Sequence, residues 1–160
     1  MPAALSIRAA TMTERVALEA LQRRASDVSE AYREQLAAHP DAIVLPSAFM
    51  DSGWVRVAVA DDERPTGFSV VIPRGAAMHE LDGLFVEPRH MHHGVGRLLV
   101  EDAVARAARD GAAGLEVIAG PAQGFYEKLG FTVIGGAETR FGLAVRMRRH
   151  SRCHGGRVIV

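Results

Sequence analysis

The stretch 81-LDGLFVEPRHMHHGVGRLLVEDAVARA-107 decides how the chain is read. It begins as an apolar run closed by Glu87-Pro88, passes through a cluster of arginine and histidines, and then opens on Gly94-Val95-Gly96. Beyond the glycines, apolar residues recur at 95, 98, 99, 103, 104 and 107. The first run predicts a strand over 78–86, and the recurrence every three or four residues predicts a helix from Gly94 to Arg109. A strand that turns on glycine into a helix leaves the first N–H groups of that helix unpaired at the positive end of its dipole. Glycines at 94 and 96 let a ligand approach the backbone closely, and His92, His93 and Arg97 add donors, so a pyrophosphate fits this turn. Two named phosphate motifs do not fit: Leu99 stands where a dinucleotide fingerprint needs its third glycine, and the only lysine, Lys128, rules out a Gly-Lys-Ser/Thr loop. On this stretch alone the turn reads equally as an anion site or as a bend that glycine makes sterically easy.

The strand before the turn carries a second signal. Its apolar face moves from the odd position of Leu81 to the even positions of Leu84 and Val86, so the two-residue alternation slips at Asp82-Gly83. A bulge there would explain the slip.

Outward from this segment, residues 5–9 read as a strand, and Thr11-x-x-Glu14 as a capping box opening a helix through about Arg24. A second helix, about Asp27 to Ala38, stops at His39-Pro40, because proline disfavours helical geometry in the residue before it. Trp54–Ala60 and Phe68–Ile72 read as a hairpin around the turn 61–67. Downstream come a strand at Leu115–Ala119, a short helix at Ala122–Leu129 ended by Gly130, and strands at Phe131–Ile134 and Phe141–Met147. The reading is one domain over 1–148 with a basic, flexible tail over 149–160.

Composition narrows the class. At 160 residues, 48% hydrophobic and 24% charged, the chain has the balance of a soluble globular domain. Its zero formal net charge hides an asymmetry: residues 1–80 carry 8 Arg against 11 acidic side chains, residues 81–160 carry 11 Arg plus Lys against 8. The basic second half favours an anionic ligand, but the balanced total and 6% aromatic content argue against nucleic acid. The lone Cys153 excludes a disulfide framework and suits a reducing cytoplasm, and no run approaches the roughly 20 apolar residues of a membrane span. The histidines of 90-HMHH-93 and the tail group His150, Cys153 and His154 lack the spacing of a metal site, so no metal is expected.

The order strand, glycine turn, helix, strand, then 122-AQGFYEKLGF-131 resembles the Gcn5-related N-acetyltransferase (GNAT) family over roughly residues 5 to 148. The resemblance implies an α/β (α+β) fold with a mixed, mostly antiparallel sheet of about six to seven strands, four flanking helices and a splayed central parallel strand pair. It implies acetyl-CoA as co-substrate, its pyrophosphate over the backbone of His92, His93, Gly94, Val95, Gly96 and Arg97, and its pantetheine arm along Leu84, Phe85 and Val86. Met91 departs from the Gln/Arg at the head of the family's turn, and Gly120 stands where relatives often carry an asparagine. Acyl transfer from a thioester needs a deprotonated amine, donors for the oxyanion and an acid for the departing thiolate. By the same resemblance Tyr126 is that acid, and either Glu80 or Glu116 is the base. The implied activity is transfer of acetyl to a primary amine of a small molecule or peptide, by direct attack in a ternary complex. An acyl-CoA-sensing module with weak or no catalysis is the alternative. No nucleic acid or membrane partner is expected, and a homodimer is compatible with the reading.

Overall fold

The computed structural model describes residues 4–28, 30–74, 77–140 and 142–151. Its strands are β1 (Ser6–Ala9), β2 (Val55–Val59), β3 (Pro65–Arg74), β4 (Met78–Val86), β5 (Gly114–Ala119), β6 (Thr132–Thr139) and β7 (Gly142–His150). They form a sheet in the order β1-β2-β3-β4-β5-β7-β6. The pairs β1–β2, β2–β3, β5–β7 and β6–β7 are antiparallel, and β4–β5 is parallel. The helices are α1 (Arg15–Asp27), α2 (Glu30–Ala38), α3 (Ser47–Asp51), α4 (Val95–Arg109) and α5 (Gln123–Lys128). The mixed α/β sheet with a parallel pair is the expected one. Among the described residues the four expected helices become five, because α3 lies in the 40–53 connection that reads as loop. Five residues are too few to display a 3.6-residue period, and the element shows itself only through buried Met50 and the Phe49–Trp54 ring contact at 5.2 Å.

By its contacts the chain forms two compact units: residues up to Val70 with Gly83–Val100, and Val71–Asp82 with the chain from Glu101 onward. In the first unit the interior holds Leu18 and Leu21 of α1, Val55 and Val57 of β2, and Phe68 of β3. Glu14 accepts the Thr11 amide at 2.9 Å, as the capping box predicts, and also takes two Arg8 N–H groups at 2.8 and 2.9 Å. Strand β3 starts at Pro65 rather than Phe68; proline is tolerated at a strand's first position, and a register shift between Ala58 and Val59 admits it.

In the second unit β5 buries Leu115, Val117 and Ala119, β7 buries Met147, and α4 buries Ala103, Val104 and Ala107. At the other end of α4 the helical pattern is corrected at one position: Leu98 is 37% exposed, while Val100, absent from the predicted stripe, is buried. Strand β6 runs five residues past the expected Ile134. Gly135-Gly136, past the expected end of the strand, lies in the ladder, next to a register shift between Val133 and Gly135. Strand β7 includes Arg149 and His150, which the sequence reading assigns to the tail; residues 152–160 lie outside the described residues.

The end of β7 is packed, and this gives a test. Gly114 pairs with His150, and a Cβ on Gly114 would press on the carbonyl oxygen of Arg149 and lie 2.8 Å from the His150 Cα. Backbone atoms cannot rotate aside as a side chain can. Gly114→Ala is expected to destabilise the protein by about 1–3 kcal/mol, seen as a lower urea midpoint at unchanged slope. An unchanged midpoint would contradict this packing.

Candidate active site

In the first unit, Leu84 and Val86 pack on a cluster of Ala58, Val95 and Leu99, which ties the end of β4 to the first turn of α4. Between them the Phe85 ring meets Phe68 at 5.3 Å. Two glycines make this possible. A Cβ on Gly67 would lie 2.8 Å from the Phe85 carbonyl oxygen, and one on Gly83 would lie 2.8 Å from the Phe85 ring. Glu87 then fixes the exit of the strand: its amide donates to the Thr66 carbonyl at 2.8 Å, and its carboxylate accepts Arg24 Nη2 at 2.8 Å and Nε at 2.9 Å. The Arg24 hydrogen bonds hold the Glu87 carboxyl below its usual range against the opposing effect of burial. A cavity of about 410 Å³ lies beside this pair, lined among others by Leu21, Arg64, Arg89 and His90.

After a 3-10 turn at Pro88–His90 the backbone becomes left-handed twice, at His92 (φ 65°) and Gly94 (φ 87°). Glycine adopts that region freely; histidine does so at a cost of about 1–3 kcal/mol, a strain that concentrates at functional sites. The Leu98 amide donates to the Gly94 carbonyl at 3.0 Å, so the amides of Val95, Gly96 and Arg97 precede the first intrahelical bond of α4. His92, His93 and Arg97 are exposed around them, and buried Val95 anchors the turn. Such a turn can hold an anion.

In the second unit the β4–β5 ladder runs from Met78↔Gly114 to Leu81↔Val117. Strand β4 continues five residues beyond it, so the slip in alternation at Asp82-Gly83 coincides with the end of the parallel ladder. Burial changes there too, alternating up to Leu81 and becoming uniformly intermediate from Gly83 to Val86. Glu80 and Glu116 stand opposite each other in register, and Glu116 stands opposite Arg148. The structure therefore brings the two candidate bases together. Glu80 accepts Arg74 at 2.7 and 2.9 Å. Glu116 accepts Arg148 at 2.6 and 3.0 Å and Arg146 at 3.3 Å. Asp82 follows at the end of the ladder. Its surface is solvent-accessible, yet crowding by protein atoms pushes its carboxyl above the usual range, helped by Glu80 and opposed by Arg74. Tyr126 is buried in α5, its ring edge-on to Phe125 at 5.0 Å and Phe131 at 5.4 Å. Among the described residues, no group of three or more His, Cys, Asp or Glu is placed to hold a metal, and no helix is long and apolar enough to cross a membrane. Cys153 and His154 lie outside the described residues.

The sequence pattern of the family described as "Acetyltransferase (GNAT) domain" matches residues 53–133. The peptidyl-lysine N-acetyltransferase YjaB of Salmonella typhimurium is 32% identical over 143 residues, covering 84% of this chain and 88% of that protein. The chain belongs to the GNAT acetyltransferase family. Its Escherichia coli counterpart YjaB is 34% identical over 94 residues, 59% of this chain and 60% of that one. Among solved GNAT structures, the PaiA N-acetyltransferase from Thermoplasma acidophilum in complex with coenzyme A shares the fold at TM-score 0.71 and 18% identity, over 92% of this chain and 99% of that one. Nourseothricin acetyltransferase is 29% identical at TM-score 0.56, over 61% of this chain and 64% of that one. The protein is thus an acetyltransferase of a family that uses acetyl-CoA.

Sequence reasoning missed the arginines that hold the two glutamates. Arg146 and Arg148 flank buried Met147, an alternation visible in β7, but the register that sets them against Glu116 is not written in either strand. Nor does the sequence reveal the left-handed His92, since only a few per cent of residues other than glycine adopt that conformation.

Proposed function

We propose that this GNAT enzyme transfers the acetyl group of acetyl-CoA to a primary amine by direct attack in a ternary complex. The observation that carries the reading is the left-handed turn from His92 to Gly94, which presents the amides of Val95, Gly96 and Arg97 at the start of α4. The pyrophosphate of the cofactor lies over 92–97, and its pantetheine arm runs along the backbone of Leu84, Phe85 and Val86. The bound coenzyme A of the PaiA relative and the activity named for YjaB support a thioester donor and an amine acceptor, a lysine side chain among the acceptors to be tried first.

In the reaction the acceptor ammonium loses a proton to Glu80. Its nitrogen lone pair then attacks the thioester carbonyl, the C–N bond forms and the C–S bond breaks. The coenzyme A thiolate takes a proton from Tyr126. The nitrogen, positively charged once the C–N bond has formed, gives up its second proton through solvent to the phenolate, which restores Tyr126 and leaves a neutral amide beside the free thiol. Glu80 is preferred to Glu116 because Glu116 is held by two guanidiniums, whereas among the described residues Glu80 is held by Arg74, whose side chain is 57% exposed and can leave cheaply.

The test is thiol release on mixing the protein, acetyl-CoA and an amine, with initial rates measured while both substrates vary. Turnover with intersecting lines is expected. Parallel lines would contradict direct attack. Tight coenzyme A binding without thiol release for any amine would favour an acyl-CoA sensor instead.

A further inference from the structure

The charged residues around Glu80 are more numerous than proton transfer requires. Arg74, Glu80, Glu116, Arg146 and Arg148 line an open cavity of about 350 Å³ in the second unit, with Ala77 and Met78 beside them. Register explains why they meet: Glu80, Glu116 and Arg148 form one row across β4, β5 and β7, and Arg146 follows two residues before Arg148 on the same face. On the other face of β4, His79 is buried and meets Asp110 at 2.9 Å, so it does not take part in the row.

Three guanidiniums and two carboxylates line the cavity, with Asp82 at its margin within electrostatic reach of Glu80 and Arg74. A purely cationic acceptor entering this cavity displaces Arg74 from Glu80 and adds a fourth cation to the lining. An acceptor that also carries a carboxylate replaces both halves of the broken pair, its ammonium on Glu80 and its carboxylate on an arginine. Arg146 is suited to receive it. It spends one N–H on Glu116, at 3.3 Å, is 40% exposed, and keeps further donors in a planar fork that fits a carboxylate in two-point fashion. With strands roughly 5 Å apart, β4 and β7 lie about 10 Å apart here, a span that the long arginine side chains close to the separation of an amine and a carboxylate within one acceptor.

We infer that this cavity is the acceptor site and that it selects amines bearing a nearby carboxylate, with Arg146 as the residue that reads it. The inference rests on the acetyl-transfer reading of the preceding section. The chemistry has two sources, a free amino acid or a lysine beside an acidic residue in a peptide.

Two matched pairs distinguish them: 4-aminobutyrate against its amide, and end-blocked lysine peptides with Glu or Gln neighbours. The expected kcat/KM is at least tenfold higher for the carboxylate member of one pair or both, and the pair showing the larger ratio identifies the source. In Arg146→Gln that ratio should fall toward one, and Arg146→Lys should restore part of it. Equal turnover of carboxylates and amides by the unaltered protein would overturn the selectivity and leave the acetyl-transfer reading standing. A ratio unchanged in a folded Arg146→Gln protein would remove Arg146 as the reader. Thiol release with no amine of either pair or of a wider panel would overturn both readings together.

Discussion

Coenzyme A binding by the Gly96→Glu protein is expected to weaken by about 100-fold or more, which is roughly 2.7 kcal/mol. The substitution acts on the ligand and spares the fold. Gly96 is the second residue of α4, and glutamate in a helix's first turn is favoured by the macrodipole and by intrinsic propensity over glycine, each by up to about 1 kcal/mol. The same position places a carboxylate where the pyrophosphate is proposed to lie, so like charges meet over the amides of Val95–Arg97 and the space itself is taken. Gly96→Ala separates the two effects, adding a methyl group without charge, and its loss should be much smaller. Gly94 is the wrong place for this test, because its φ of 87° strains any side chain whatever the ligand does. Titration calorimetry with coenzyme A, alongside thermal unfolding, reads the result. Undiminished affinity in a folded Gly96→Glu protein would take the pyrophosphate away from this turn.

What was legible in the sequence follows the range of the interactions involved. The order of strands and helices is local, and apolar periodicity shows it wherever an element exceeds one or two turns; α3, with five residues, falls below that length. The turn at 92–96 is legible because two glycines announce a backbone problem, and the slip at Asp82-Gly83 because a two-residue period exposes a single-residue change. It coincides with the end of the β4–β5 ladder at Leu81. Long-range charge pairing is different. Arg146 and Arg148 reach Glu116 from about 30 residues away, so nothing in the sequence around Glu116 marks its partners, and Arg74, six residues before Glu80, is one of several charges near it. Similarly, Glu87 is tied to Arg24 over 63 residues, and that pair steadies the exit of β4 toward the turn. For Glu87 the lowered carboxyl pKa contributes stability above its unfolded value of roughly 4.3, lost as the pH falls through the folded value. Asp82 has the opposite sign: its raised pKa favours the protonated native state, a contribution complete below the unfolded value and lost as the pH rises through the folded one.

That opposite sign bears on which carboxylate accepts the acceptor's proton. If Glu80 is the base, Glu80→Gln should keep coenzyme A affinity, lower turnover by about 10²–10⁴-fold, and flatten the limb of the rate profile that rises with pH. The amide keeps the size of the side chain and an oxygen that can still accept from Arg74, so a large loss cannot be laid to collapse of the pair. Glu116→Gln should behave otherwise. It loosens Arg146 and Arg148, which changes acceptor KM before kcat, because three hydrogen bonds already commit Glu116 to those arginines. Tyr126→Phe should be mildest, at or below the low end of general-acid effects, about 10²-fold, since a thiolate leaves readily without a proton. Its cost should grow with thioesters of less acidic thiols. Two outcomes reassign the base: a full rate in Glu80→Gln with both rate and limb lost in Glu116→Gln moves it to β5. Loss of the limb only in Asp82→Asn moves it two residues along β4, to the carboxyl that crowding already predisposes to hold a proton.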